Sequence, residues 1–279
     1  MNYIGLTNYR YKSTYVFMSI AHFINQTQPT TYLGEFFNPR HTNTMWYLDD
    51  DKSILVNQTE LKAFRDWLSN QDNRDVFKEN LITKIDEKYS SAKNKSNYAL
   101  LQNTISNWVM KICPGHIRGI TINDIENLFE NNKSVFLIRE DLEDSCLSYI
   151  YARISTIWNS DTLVEYNEVS YDRALHQNVI KTCIKDYNKL KSLEYRLNLD
   201  YKLVYEDLTG NPVDDLKHLF EFEIHPYTET RQPGIPLEYN WVKLISKEDK
   251  IKKMKNYNVF NRDFTMFRKE YENERGYIF

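Results

Sequence analysis

A loop near the start of the chain carries two cations and two hydroxyls, Arg10, Lys12, Ser13 and Thr14, within the stretch GLTNYRYKSTYVF. It lies between residues 2–7, which we predict to form a strand, and the apolar TYVFMSIAHFI, which we predict to form a helix. The free backbone N–H groups and the dipole at the start of a helix attract anions. The residue types and their position therefore predict a site for a phosphate or a similar anion.

The loop departs from the Walker A pattern, G-x-x-x-x-G-K-[ST], at two positions. Lys12-Ser13 matches its end, but Tyr11 stands where the second glycine belongs, and Gly5 is one residue too far away. Asp141, after the apolar run SVFLI, is a candidate for the acidic Walker B partner. A nucleotide kinase or another P-loop phosphotransferase that uses Lys12 and Mg²⁺ is therefore an alternative rather than our first interpretation.

A second basic position follows a later apolar run. Arg139 comes directly after SVFLI, and Ser148 lies nine residues on, within LEDSCLSYIYARISTIW, which we predict to form a helix. A guanidinium can hold a phosphate through two hydrogen bonds, and a hydroxyl adds another donor. The alternative for this guanidinium is a salt bridge to Glu140, Asp141 or Asp144.

Short apolar runs alternate with segments of helical spacing, which predicts a parallel α/β sheet. The runs fall near residues 2–7, 107–112, 134–138 and 201–208. We predict a single domain over 1–279, with a helical insertion at about 40–105, an irregular loop at 225–242 and a peripheral, basic-polar end. His22, inside the apolar first helix, is expected to be a core histidine.

The composition argues against several classes of protein. A net charge of −3 does not indicate a basic nucleic-acid-binding face at the level of the whole chain, and a local basic pocket for a small anion is compatible with it. The sequence has no stretch of about 18 apolar residues, so no membrane span is predicted, and its first residues are too polar for a secretory signal, so we expect a cytoplasmic protein. The cysteines, Cys113, Cys146 and Cys183, lack CxxC spacing and are odd in number, so neither a metal site of the zinc type nor a disulfide framework is predicted.

Four segments, taken in order, resemble the sulfotransferases whose donor is 3′-phosphoadenosine 5′-phosphosulfate (PAPS). The nearest likeness is to the bacterial trehalose-type (glycolipid) branch of that family. Aligned with the family's opening loop, Pro-[Arg/Lys]-Ser-Gly-[Ser/Thr]-[Ser/Thr], Arg10 matches the cation, and Ser13 and Thr14 match the end. Tyr11-Lys12 replaces Ser-Gly, which is the main departure of this chain from the pattern.

The other three segments resemble later parts of the same family. Arg139-Glu140-Asp141, with Ser148-Tyr149 nine residues on, resembles the segment that binds the 3′-phosphate. The stretch YLGEFFNP, which contains Glu35, resembles the Glu-Tyr/Phe-Phe motif after the first helix, and LVYEDL with the Asn-Pro that follows resembles the late strand. The likeness covers about residues 3–38, 107–160 and 201–242.

The resemblance implies a P-loop-like three-layer α/β fold and a metal-independent transfer of a sulfuryl group from PAPS to a hydroxyl, on a carbohydrate or a glycolipid. It implies that Arg10, with the backbone N–H groups of residues 12–14, stabilises the leaving 5′-phosphate, and that Lys12 adds a second cation or points to solvent. Ser13 and Thr14 would donate to the same phosphate, unless they only cap the helix.

Two residues are candidates for the base that removes the acceptor's proton. Glu35 matches the acidic residue proposed as base in the trehalose-type branch, and a carboxylate beside the acceptor can do this work. His116 is the competing candidate, because the vertebrate cytosolic branch uses a histidine within a Lys-x-His pattern. Here Lys111 matches that lysine, but Cys113 takes the place of the histidine. We favour Glu35.

Two further donor contacts follow from the resemblance. Tyr205, in LVYEDL, could border the adenine or belong to the core. Arg231, in TRQPG, lies where family members fold a C-terminal segment over the nucleotide, or it is an ordinary surface arginine. Besides the kinase, the remaining alternative function is a non-catalytic nucleotide- or glycan-binding module, which would suit the altered Tyr11-Lys12 loop.

Overall fold

The fold is given by a computed structural model that describes residues 2–8, 11, 13–28, 30–35, 43–49, 52–57, 108–116, 126, 129, 132–155, 168–224 and 246–272. Its strands are β1 (Tyr3–Leu6), β2 (Thr31–Gly34), β3 (Asn43–Asp49), β4 (Lys52–Asn57), β5 (Trp108–Ile112), β6 (Lys133–Ile138), β7 (Val169–Ser170), β8 (Tyr201–Val204) and β9 (Met254–Lys255). Its α-helices are α1 (Ser13–Asn25), α2 (Leu142–Ser155), α3 (Arg173–Arg196), α4 (Pro212–Leu216), α5 (Lys247–Lys253) and α6 (Tyr257–Glu272).

Seven of these strands form one mixed sheet in the order β4-β3-β2-β5-β1-β6-β8. Strands β2, β5, β1, β6 and β8 run parallel, and β3 and β4 add an antiparallel pair at one edge. Strand β1 lies in the middle of the parallel part, with Leu6 opposite Ile112 of β5 and Phe136 of β6. The predicted α/β class with a central parallel sheet is therefore confirmed.

The buried apolar residues form two clusters. The first joins the sheet to α1 and includes Phe17, Val109 and Phe136, all fully buried. The second joins α2 and α3 to α6 and includes Ile150 and Phe260. Strands β1 and β6, whose residues are almost all buried, read as continuous apolar runs, which is why the sequence pattern identified them. Among the described residues, none of the helices combines the length and the apolar character needed to cross a membrane.

The first helix crosses β1 so closely that only glycine fits beneath it. A Cβ atom added to Gly5 would lie 2.0 Å from Cζ of Phe17. Gly5 thus serves the packing of α1 on the sheet.

We expect Gly5→Ala to lower the free energy of unfolding by about 1–3 kcal/mol or more, because the ring or the helix must move to admit the methyl group. Chemical denaturation of both proteins would measure it. The double variant Gly5→Ala/Phe17→Leu should recover part of the loss. An unchanged free energy of unfolding in the single variant would contradict the close approach of the Phe17 ring to Gly5.

Two predictions concern the outer parts of the chain. The insertion predicted to be helical at about 40–105 begins instead with β3 and β4, and its remainder from 58 to 105 lies outside the described residues. The end of the chain is not peripheral, because α6 buries Phe260, Phe264 and Phe267 on one face. The irregular loop predicted at 225–242 lies outside the described residues.

His22 is a core residue of α1, as its position in the sequence predicts. Its side chain is buried, and its Nε2 lies 3.4 Å from Nε2 of Gln26, one turn along the helix. Burial lowers the pKa of His22 to about 4, so the imidazole is uncharged at neutral pH. This histidine is therefore not a candidate for chemistry.

Candidate functional site

The order in which the chain adds strands to the sheet reverses beside β1. From β1 the chain continues to β2 on one side of β1, whereas from β6 it continues to β8 on the other side. In open α/β sheets, ligands bind outside the carboxyl ends of the strands at such a point. The predicted site residues that the structure describes follow the carboxyl ends of the parallel strands β1, β2, β5, β6 and β8, which lie at the same edge of the sheet.

Lys111, on β5, contacts residues that follow β1 and β2. It lies near the end of β5 and is buried, and its Nζ donates to Oγ of Ser13 over 3.3 Å and to Oγ1 of Thr14 over 2.8 Å. The same Nζ lies 3.2 Å from Oε1 of Glu35, directly after β2. We call Lys111, Ser13, Thr14 and Glu35 the Lys111 cluster.

The hydrogen bonds of the Lys111 cluster leave donors available for an anion. A lysine ammonium only donates, so Ser13 and Thr14 accept through their oxygens and keep their own hydrogens to give elsewhere. Both hydroxyls stand on the first two residues of α1, where the helix dipole favours negative charge. The side chain of Glu35 is 21% exposed whereas that of Lys111 is 6% exposed, so a substrate would reach the carboxylate from solvent.

Cys113 and His116 follow β5. Cys113, in the place of the family histidine, is fully buried, and burial raises the pKa of its thiol well above the usual range. It is therefore a neutral thiol and no base. His116 ends a short 3₁₀ turn, Pro114–His116, but its side chain lies outside the described part of the chain.

The side chain of Tyr11 does not face the loop's outer surface. It is fully buried, and burial raises its pKa, while the Ser145 hydroxyl on α2 acts in the opposite direction; Cys146 and Cys183 are also close. Tyr11 therefore fixes the loop to the layer of α2 and α3, and only its backbone could meet the donor. Arg10 and Lys12, the predicted cations of this loop, lie outside the described residues.

Arg139 and Ser148 meet, as their predicted common role requires. The guanidinium of Arg139 is 1% exposed, and its Nη1 donates to Oγ of Ser148 over 3.1 Å. Its Nη2 is also ion-paired with Asp144, so the alternative prediction of a salt bridge holds at the same time. The ring centroid of Tyr205 lies 4.1 Å from Cζ of Arg139. This cation–π contact favours neither of the two predictions for Tyr205, a residue that borders the adenine or a core residue.

Lys250, on α5, is a residue of this site that sequence reasoning missed. It is 4% exposed, and its Nζ donates to Oγ of Ser148 over 2.8 Å and to Oδ1 of Asp144 over 2.7 Å. We call Arg139, Asp144, Ser148, Tyr205 and Lys250 the Arg139 cluster. In the sequence, Lys250 is a lysine in a helix that begins at a serine cap. This pattern does not distinguish Lys250 from a surface lysine.

The acidic residues after β6 have structural partners. Burial alone would raise the pKa of Asp141. The N–H of Asp144 and the ammonium of Lys247 nevertheless hold this pKa below its usual value. The carboxylate of Glu206 accepts from the backbone N–H groups of Glu140 and Asp141, over 3.2 and 3.0 Å. Asp141 thus orders the start of α2, and no contact of the described residues favours the Walker B role.

Comparison of the chain with protein-family models finds no match, and comparison with characterised proteins finds none either. A function must therefore be argued from the side chains themselves. Of the predicted donor contacts, the structure joins Ser13 and Thr14 through Lys111, and Arg139 with Ser148 and Tyr205. Arg231 lies outside the described residues.

Proposed function

We propose that the protein is a sulfotransferase that moves a sulfuryl group from PAPS to a hydroxyl of a carbohydrate or glycolipid. The observation that carries the proposal is the contact of Lys111 Nζ with both hydroxyls at the start of α1 and with Glu35. A loop and helix that follow the central strand of a parallel sheet in this way are what a P-loop-like fold requires. Support for the carbohydrate comes from the resemblance of YLGEFFNP to the trehalose-type branch.

The donor has charge at two separated positions, its 5′-phosphosulfate and its 3′-phosphate. The Lys111 cluster follows β1, β2 and β5, and Arg139 and Ser148 follow β6, the neighbour of β1 on the other side. One ligand that lies across the end of β1 would reach both. A ligand with a single phosphate would use only one of the two clusters.

The Lys111 cluster supplies what the transfer needs. The acceptor oxygen attacks sulfur, the bond from sulfur to the bridging oxygen of the 5′-phosphate breaks, and the electron pair stays on that phosphate. Lys111, with the hydroxyls of Ser13 and Thr14, stabilises the charge that develops there. The proton of the acceptor passes to the Glu35 carboxylate. The products are a sulfate ester and 3′,5′-adenosine bisphosphate.

The ion pair of Glu35 and Lys111 links the two halves of this reaction. Before transfer the ammonium holds the carboxylate toward the place of the acceptor. As charge builds on the leaving phosphate, the same ammonium is attracted to it, and Glu35 becomes neutral when it receives the proton. Positioning and preorganised charge therefore do most of the work, as in phosphoryl transfer.

The proposal is tested by transfer of label from sulfur-labelled PAPS to a panel of mono- and disaccharides and glycolipids, with the purified chain and no added metal. We expect label in at least one carbohydrate, with release of an equal amount of 3′,5′-adenosine bisphosphate. Phosphate transfer from ATP with Mg²⁺ would identify a kinase instead. Binding of PAPS without transfer to any acceptor would identify a non-catalytic module.

A further inference from the structure

A carboxylate of the protein bridges the two buried cations of the Arg139 cluster. One oxygen of Asp144 pairs with Arg139, and the other lies 2.7 Å from Nζ of Lys250. A phosphate would use two of its oxygens in the same way, because both cations point at one place. A guanidinium and an ammonium each bind a phosphate as well as a carboxylate.

Ser148 completes this place with a hydrogen that can be donated. Its Oγ accepts from Arg139 over 3.1 Å and from Lys250 over 2.8 Å, which uses both acceptor positions of a hydroxyl. In the part of the chain that the structure describes, no acceptor takes the hydrogen of Ser148. An anion seated between the two cations would therefore gain a third donor.

Asp144 is more exposed than either of the two cations. Its side chain is 13% exposed, against 2% for Arg139 and 5% for Lys250. A ligand that enters from solvent therefore meets the carboxylate before it meets either cation. Two buried cations without an anion would be costly, so the empty site needs a counter-charge of its own.

Lys250 is held in position by its backbone as well as by its charge. The hydroxyl of Tyr151, on α2, donates to the carbonyl oxygen of Lys250 over 2.6 Å in a buried contact. Helix α5 is thus attached to the helix that carries Asp144 and Ser148, so the backbone of Lys250 stays beside the site when the partner of its ammonium changes.

We propose that Asp144 is an internal counter-anion, that a phosphate dianion displaces it from Arg139 and Lys250, and that Lys250 is a ligand of that phosphate. If the proposed function is correct, on which this assignment of the ligand rests, the dianion is the 3′-phosphate of the donor. The exchange makes the site selective for a doubly charged group, since a weaker anion would not replace a carboxylate that is already in place.

The test is thermal unfolding and calorimetry of the full chain with two probes, inorganic phosphate and 3′,5′-adenosine bisphosphate. Asp144→Asn removes the competitor, so it should bind phosphate at least about tenfold more tightly than wild type. Without phosphate its melting temperature should fall by about 6 °C or more, and phosphate should restore it. Lys250→Met should bind phosphate about tenfold or more weakly, because it loses a charged hydrogen bond.

A neighbouring ion-paired lysine gives a matched control. Lys247, on the same helix, pairs with Asp141 over 2.9 Å and does not contact Ser148 in a described hydrogen bond. Lys247→Met should bind phosphate as wild type does. The double variant Asp144→Asn/Lys250→Met removes one charge of each sign and should fold. Phosphate should bind it about tenfold more weakly than Asp144→Asn, because Lys250 is gone, and more tightly than Lys250→Met, because the competing carboxylate is gone.

The outcomes separate this inference from the proposed function. Tight binding of the bisphosphate that is unchanged in Asp144→Asn and Lys250→Met overturns the exchange and leaves the sulfotransferase proposal intact. Tighter phosphate binding by Asp144→Asn, with no preference for the bisphosphate, supports the exchange and contradicts the donor. If Asp144→Asn does not fold, Lys250→Met and the double variant decide: tighter phosphate binding by the double variant than by Lys250→Met supports the exchange, and equal binding by the two overturns it.

Discussion

Replacement of Lys111 by methionine is expected to lower kcat for sulfuryl transfer by about 10²- to 10³-fold, the cost of one preorganised donor to a developing charge. The ammonium contacts Ser13, Thr14 and Glu35 together, so its loss affects both the leaving phosphate and the base. Methionine has a similar length and fills the buried space. Steady-state rates with PAPS and the best acceptor would measure the effect.

A lysine elsewhere in the sheet gives the matched control. Lys202, on β8, lies 2.7 Å from a carboxylate oxygen of Glu194 and is far more exposed than Lys111. Lys202→Met should leave kcat within about twofold of wild type, since surface ion pairs contribute little. A Lys111→Met protein that folds with unchanged melting temperature and retains full kcat would remove Lys111 from the mechanism.

Glu35→Gln is expected to lower kcat by about 10²-fold or more while the affinity for the donor stays within about threefold. The amide keeps the shape of the side chain and can still accept a hydrogen bond from Lys111, but it cannot take the proton of the acceptor. Presteady-state transfer together with calorimetric binding of 3′,5′-adenosine bisphosphate would separate turnover from binding.

The rival base and the rival function each predict a different result for this variant. If His116 is the base, His116→Asn should lose turnover and Glu35→Gln should keep it. A non-catalytic module would bind equally well with either residue and would transfer nothing. Partial recovery in Glu35→Asp would favour a carboxylate that must reach a defined place.

The sequence identified β1, β5 and β6 because these strands are buried on both faces. Runs such as WVMKI and SVFLI are nearly continuous in apolar residues for that reason. The C-terminal helix was missed, although Phe260, Phe264 and Phe267 recur at helical spacing. The many charged residues between these phenylalanines obscured the apolar face, which packs on α3 and α2.

The site was predictable where its partners are near in sequence or follow neighbouring strands. Arg139 and Ser148 are nine residues apart, at the end of a strand and on the helix that follows, and they touch. Lys111 also left a signal, a charged residue inside an apolar strand, which is costly unless it has partners. Lys250 left none, because its contact with Ser148 spans 102 residues and depends on how α5 packs.

The most direct measurement of the central claim is calorimetric binding of 3′,5′-adenosine bisphosphate, 3′-AMP, 5′-AMP and ATP without metal, on wild type and Ser148→Ala. Ser134→Ala is the matched control, since Ser134 is equally buried and donates to Asp200 over 2.8 Å at the opposite end of β6.

We predict that wild type and Ser134→Ala bind the bisphosphate at least about tenfold more tightly than either monophosphate, because only the bisphosphate reaches both clusters. Ser148→Ala should lose affinity for both nucleotides with a 3′-phosphate and keep its affinity for 5′-AMP. Preference for ATP, or binding of the bisphosphate that is indifferent to Ser148, would contradict a PAPS site at this edge of the sheet.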